Sequence, residues 1–381
     1  MGFFDLKQEL EVISIENLTI DANSISRTVL RTLAAHDAQL SIFGYAAVCV
    51  PDVENLVIRD NSITDFGREP GESVCGIFVL HGQMLEVSRN QVLETRDWSF
   101  TSSDQLPAVG GLRGGIVIML ATPPTFTATS SLYTDAVGIA AEYTPPVYIP
   151  GLPALRVEHN VVRIAVGEAL EAFGYGPFSI VNNHLATGGT VKVGGSSLAE
   201  TVLILNLGTA IEADSSAGSY SKLYEGKDVY SSSSVNRKSG NPSNGAVLFT
   251  NNICELEAQI SQRRCFASVA ILSLDNLIFS NNQCWLDGPR LTALLDALLA
   301  AGSVQVTGNR FQEAADFPVL ASGFTIGVLN ITAQNISTYC LFATGILQPA
   351  LEVDNLSLLS SEVCHGVAGN MQLNFKESVY K

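Results

Sequence analysis

One eight-residue pattern recurs along this chain: apolar, any, apolar, any, any, asparagine, any, apolar. It reads LTIDANSI at Leu18–Ile25, LVIRDNSI at Leu56–Ile63, LEVSRNQV at Leu85–Val92 and LRVEHNVV at Leu155–Val162. It returns as FSIVNNHL at Phe178–Leu185, VLFTNNIC at Val247–Cys254, LIFSNNQC at Leu277–Cys284 and VQVTGNRF at Val304–Phe311. A degraded ninth copy, LSLLSSEV at Leu356–Val363, carries Ser361 in the asparagine slot. Two apolar residues spaced two apart face the same side of a strand. The residue before each asparagine is Ala, Asp, Arg, His, Asn, Asn, Asn and Gly in turn, and most of these types tolerate a left-handed turn. The pattern therefore predicts a strand, a sharp corner at the asparagine, and a second strand that returns to the core. Stacked asparagine amides would form a ladder from one copy to the next.

The asparagines Asn23, Asn61, Asn90, Asn160, Asn183, Asn252, Asn282 and Asn309 are separated by 38, 29, 70, 23, 69, 30 and 27 residues. The short gaps suit one coil of a solenoid; the two near 70 hold either three coils or fewer coils with an insertion. Another apolar segment precedes most copies, as in GYAAVCV (Gly44–Val50), VCGIFVL (Val74–Leu80), TVLILNL (Thr201–Leu207) and FASVAIL (Phe266–Leu272). Each coil then holds three strands. On these residues the chain resembles the right-handed parallel β-helix of the pectate-lyase-like superfold, whose coils read GIxV…NVxIxxNxI. The fold expected is all-β: a single right-handed parallel β-helix over residues 1–381, with short helical and loop insertions. A β-sandwich gives no reason for asparagine at a fixed offset in eight copies. About thirteen coils at ~4.8 Å each would make a rod on the order of 60 Å long. Ile58, Val87, Val157, Ile180, Phe249, Phe279 and Val306 should form one interior column.

Several stretches depart from the repeat. Ser26–Gln39 has apolar residues at helical spacing with Ser26 as a possible cap, which predicts a short helix. Pro289–Gly302 also carries helix signals in Asp287, Pro289 and Gly302, but Asn282 and Asn309 are one coil apart, so a rung is preferred near Leu295–Leu299. Proline pairs mark an insertion at 95–153, and a Ser/Gly/Tyr/Lys-rich run marks another at 214–245. The second contains Tyr220, Lys222, Tyr224, Tyr230 and Arg237, which suit a contact surface because tyrosine and basic residues favour recognition.

The charge balance, Lys+Arg 21 against Asp+Glu 37 for a net −16, excludes a nucleic-acid or anionic-membrane surface. The N-terminus has acids where a secretory signal needs basic residues, so the expected setting is the cytosol or an assembled particle. None of the seven cysteines forms CxxC, and Cys254 and Cys284 fall in a core slot. Neither metal nor cofactor motifs occur, and His159 and His184 flank turn asparagines. The resemblance implies either carbohydrate chemistry with acidic residues in a groove or a non-catalytic role. The candidate groove strands GGIVIML and FASVAIL are nearly free of charge, which favours a structural or binding module of a fibre, filament or phage-tail-like particle. A polysaccharide lyase or glycoside hydrolase is the alternative. Ala47–Val50, Ile77–Leu80, Ile116–Met119 and Val202–Leu205 are apolar on both parities, so both faces of these strands should be covered. An insertion, a protein partner or a second copy would supply the outer cover.

Overall fold

In the computed structural model, 29 strands among the described residues join in one sheet that wraps about 322° around a single axis. The structure describes residues 15–29, 45–68, 72–96, 112–122, 153–188, 192–193, 196–197, 200–208, 247–257, 264–287, 292–313, 323–327, 330–338, 340–345, 350–358, 364–367, 372–375 and 378–380. No helix occurs among them, and every pairing in the large sheet is parallel. The fold is the all-β parallel solenoid that the repeat predicts.

Each complete coil contributes strands to three faces. Sheet I includes the first part of Tyr45–Arg59, then Val74–Gln83, Gly114–Thr122, Glu168–Gly174, Val202–Asn206, Arg264–Ser273 and Thr292–Ala300. Sheet II holds the first half of each eight-residue copy, and sheet III the residues after the asparagine. Along sheet II, ten successive pairings from Ile15–Asp21 to Gln372–Phe375 link eleven layers. At the ordinary interstrand spacing this makes a rod about 50 Å long, shorter than the spacing of the asparagines suggests.

The asparagines explain the difference. Asn90 Nδ2 donates directly to Asn160 Oδ1 at 3.0 Å, and Asn183 Nδ2 to Asn252 Oδ1 at 3.0 Å. Each gap near 70 is therefore a single coil with extra chain. The stretch 95–153, expected as one insertion, contains the sheet I rung Gly114–Thr122, which pairs with Val74–Gln83 and Glu168–Gly174. The ladder is otherwise continuous from Asn23 to Asn309. In its middle each amide is saturated. Asn160 Nδ2 donates to Asn183 Oδ1 and to the Val87 carbonyl, while its Oδ1 accepts from the backbone and side-chain nitrogens of Asn90. The residues preceding these asparagines all sit at positive φ: Ala22, Asp60, Arg89, His159, Asn182, Asn251, Asn281 and Gly308. Their left-handed backbone turns the chain between sheets II and III. A shorter ladder stands at the corner between sheets I and II, where Asn55 Nδ2 donates to Asn17 Oδ1 at 2.6 Å and both residues are left-handed.

The interior column forms as expected. Ile58, Val87, Val157, Ile180, Phe249, Phe279 and Val306 are consecutive register partners and all buried. Phe249 and Phe279 stack with centroids 5.3 Å apart. Cys254 and Cys284 are also register partners in the core and behave as small apolar residues.

Two local expectations resolve differently. The helix expected over Ser26–Gln39 does not begin at Ser26, which ends the strand Ser24–Ser26 and pairs with Thr64; Val29 is left-handed at φ 54. The reason is that Ile25 fills the core slot above Ile63 and holds its neighbours in the rung. Residues 30–44 lie outside the described residues. Thr292–Ala300, by contrast, is the preferred rung, paired with Arg264–Ser273 and Gly323–Gly327.

Candidate functional site

Sheet I is apolar on both sides, and its two sides do different things. Val48, Ile77, Ile116, Leu170, Val202 and Val269 follow one another in register and belong to the central core. The alternate residues face outward and form a second row: Cys49, Phe78, Val117, Glu171, Leu203, Ala270 and Ala297. Two apolar clusters lie along this row. Cys75, Phe78 and Val117 form one, flanked by Ala46, Leu80, Leu112 and Met119. Ala270, Ala297 and Leu203 form the other.

Glu171 occupies the rung between the two clusters. Its neighbours in register are Val117 and Leu203, so the position accommodates an apolar side chain on either side. Glu171 and Glu200 are buried, at 6% and 5% exposure, and neither makes a hydrogen bond or ion pair with a described residue. Burial, then the neighbouring Glu200, pushes the Glu171 carboxyl up to about 7; burial pushes Glu200 up to about 7 as well. Glu168 is raised by burial and by the negative charge of Glu171 and Glu200. The buried Cys75 thiol beside them is raised by desolvation and stays protonated at neutral pH. At the linkage constant, a rise from 4.5 to about 7 costs up to ~3 kcal/mol of stability per ionised carboxyl. An outward row that is apolar at Val117, Leu203 and Ala270 gains no stability from a carboxyl at Glu171. Carboxyls held near neutrality can exchange a proton at physiological pH or receive a cation.

Beyond this acidic rung the same face opens to solvent. Leu207, Leu272 and Leu274 are 38%, 39% and 49% exposed, with Leu205 and Leu299 in register beside Leu272. At the other end Phe78 is covered, at 1% exposure. Of the four strands expected to be covered outside, Ile77–Leu80 and Ile116–Met119 are shielded at Phe78 and Val117, Val202–Leu205 is half-buried at Leu203 and Leu205, and Ala47–Val50 is exposed at Cys49.

A second polar group sits at the corner between sheets I and II. Asp52 Oδ1 lies 2.6 Å from His81 Nδ1, and His81 Nε2 lies 3.3 Å from Thr122 Oγ1. Carboxylate, imidazole and hydroxyl follow the order of a nucleophilic triad. All three are buried, however, with no surface on Thr122 for a substrate to reach. Asp52 and His81 follow the inward-facing Val50 and Val79, so the group closes a polar corner of the core. Arg113 and Glu94 form a comparable buried pair, with Glu94 Oε2 accepting from the Ala165 amide at 2.8 Å.

The contact residues expected from the sequence, Tyr220, Lys222, Tyr224, Tyr230 and Arg237, lie outside the described residues. His159 is exposed at its turn, as expected, and His184 pairs with Glu255 at 3.1 Å. Glu168, Glu171 and Glu200 were not singled out by the repeat. Their signal is present in EALEAFG (Glu168–Gly174), which is a sheet I rung with acids where the paired strands have Gly114, Val117 and Leu203. No family model, curated protein or solved structure matches the chain.

Proposed function

We propose that this chain is a non-catalytic binding module of a larger assembly, engaging another protein subunit through the outer face of sheet I. The observation behind this reading is the row of partly exposed leucines, Leu205, Leu207, Leu272, Leu274 and Leu299, aligned on neighbouring rungs of a stiff scaffold. Contiguous exposed apolar surface on a folded protein marks an interaction site. A rigid solenoid also presents that surface without an ordering cost on binding. Sedimentation velocity combined with binding of the apolar dye anilinonaphthalene sulfonate tests the reading on wild type and Leu272→Glu. A self-associating wild type that becomes monomeric in Leu272→Glu supports it, with a second copy as the subunit. A monomeric wild type that binds the dye at this face, and loses it in Leu272→Glu, supports it with a different subunit. A monomer whose dye binding is unchanged by the substitution contradicts it.

A second reading, a glycoside hydrolase, is favoured by one feature: two carboxyls, Glu171 and Glu200, raised to about 7, a range suited to proton donation to a leaving group. Product release from a glycan panel, abolished by Glu171→Gln, would put this reading first.

A further inference from the structure

Four of the chain's seven cysteines stand in pairs on neighbouring coils: Cys254 is the register partner of Cys284, and Cys340 that of Cys364. The first pair lies two residues beyond the ladder asparagines Asn252 and Asn282, on the inward side of sheet III. Both residues have no exposed surface. The same inward column carries Ile63, Val92, Val162 and Leu185 on the preceding coils, so it turns from large aliphatic residues to cysteine on two consecutive rungs.

Register partners on adjacent parallel strands point to the same side and have Cα atoms ~4.8 Å apart. That separation falls within the range of roughly 4.4–6.8 Å that a disulfide bridges, and the two Cβ atoms need to approach by only on the order of 0.3 Å. The two rungs are already held in line, because Asn252 donates from its backbone and side-chain nitrogens to Asn282 Oδ1. A zinc ion would need further ligands, and no three cysteine, histidine or acidic side chains among the described residues converge to hold one.

We infer that Cys254 and Cys284 are an inter-coil disulfide site, closed as the chain folds, that staples the coil of Asn252 to the coil of Asn282. The oxidant is a small disulfide such as oxidised glutathione. One cysteine thiolate attacks it, forms a mixed disulfide and releases the first glutathione. The second thiolate attacks the protein sulfur of that mixed disulfide, forms the Cys254–Cys284 bond and releases the second glutathione. Two protein thiols are oxidised, one glutathione disulfide is reduced to two thiols, and the two thiol protons pass to the departing thiolates. Exchange precedes closure of the coils, so burial does not bar it and afterwards shields the bond from reduction. The link joins residues 30 apart and restricts the unfolded chain just beyond the 69-residue excursion between Asn183 and Asn252.

Refolding from urea at pH 8, in a glutathione redox buffer or in excess reductant, tests this on wild type and Cys254→Ala. Remaining thiols are alkylated, the protein is digested without reduction, and linked peptides are sequenced by mass spectrometry. Urea midpoints are then measured for the oxidised and reduced forms of each protein. The expected result is a Cys254–Cys284 linked peptide in oxidised wild type, with a midpoint roughly 0.5–1 M above that of the reduced form. The difference between oxidised and reduced forms should be smaller in Cys254→Ala, whatever the variant's own baseline. If wild type does not refold, the redox buffer is applied to the native protein in urea just below its midpoint, where coils open and reclose, and the same peptide is expected. Alkylated Cys254 and Cys284 with no link between them overturn the inference. So does a link that lowers the midpoint, because the bond then opposes the native register. An equal rise in wild type and Cys254→Ala also overturns it, since the stabilising bond then lies elsewhere.

Discussion

Asn160 shows how one residue type holds the coils in line. It is buried, and its amide makes four hydrogen bonds, two to Asn90, one to Asn183 and one to the Val87 carbonyl. Asn160→Ala leaves those partners unpaired inside the protein and should cost roughly 2–4 kcal/mol. Asn23 is exposed at the first turn of the ladder, so Asn23→Ala should cost under ~1 kcal/mol. Urea denaturation of the two variants measures the contrast; equal losses would mean that the ladder carries no special weight. The core column gives a second expectation. Phe279 stacks on Phe249 and has no exposed surface, so Phe279→Ala should destabilise by roughly 3–5 kcal/mol through the cavity it leaves. A loss under ~1 kcal/mol would contradict the register.

At the scale of a strand, what the sequence reveals depends on repetition. Leu277–Cys284 could be read as strand, corner and strand because seven other copies impose the same offsets, and the left-handed residue before each asparagine follows from them. Glu168–Gly174 could not be placed in this way. Its coil is the shortest between two asparagines of the ladder, 23 residues from Asn160 to Asn183, and no repeated residue marks where its rung begins. Only the pairing of Glu171 with Val117 and Leu203 reveals an acid in an apolar row. The coil count was likewise hidden, because a gap of 70 residues looks the same whether it is folded into rungs or looped out. The Asp52–His81–Thr122 corner was invisible for a related reason: its members come from three different coils.

The acidic rung has a pH signature. A carboxyl whose folded-state pKa lies above its unfolded value binds its proton more readily in the folded chain. Stability is therefore greatest below the unfolded value of 4.5 and declines as pH rises toward about 7. Glu171→Leu removes one such group and should raise stability at pH 8 by roughly 1–3 kcal/mol more than it does at pH 4. Urea titrations at the two pH values check this. An equal effect at both would show that Glu171 ionises as freely in the folded chain as in the unfolded one.

For the molecule as a whole, eleven stacked layers give three long faces with distinct surfaces. Sheets II and III carry charged pairs on their exterior, such as Arg156 with Glu86 and Arg163 with Glu257. The outward row of sheet I is apolar on its described rungs from Phe78 to Ala297 except at Glu171. A charge at Phe78, which is fully covered, would disrupt folding before it reported on docking. Leu272 is exposed and is the position to change. The most direct test places one glutamate on each face in separate variants, Leu272→Glu on sheet I, Ile278→Glu on sheet II and Ile253→Glu on sheet III. Each is compared with wild type by sedimentation velocity and apolar-dye binding. A docking face on sheet I predicts that Leu272→Glu alone lowers association or dye binding. Equal effects on all three faces, or an effect confined to sheet II or III, would contradict it.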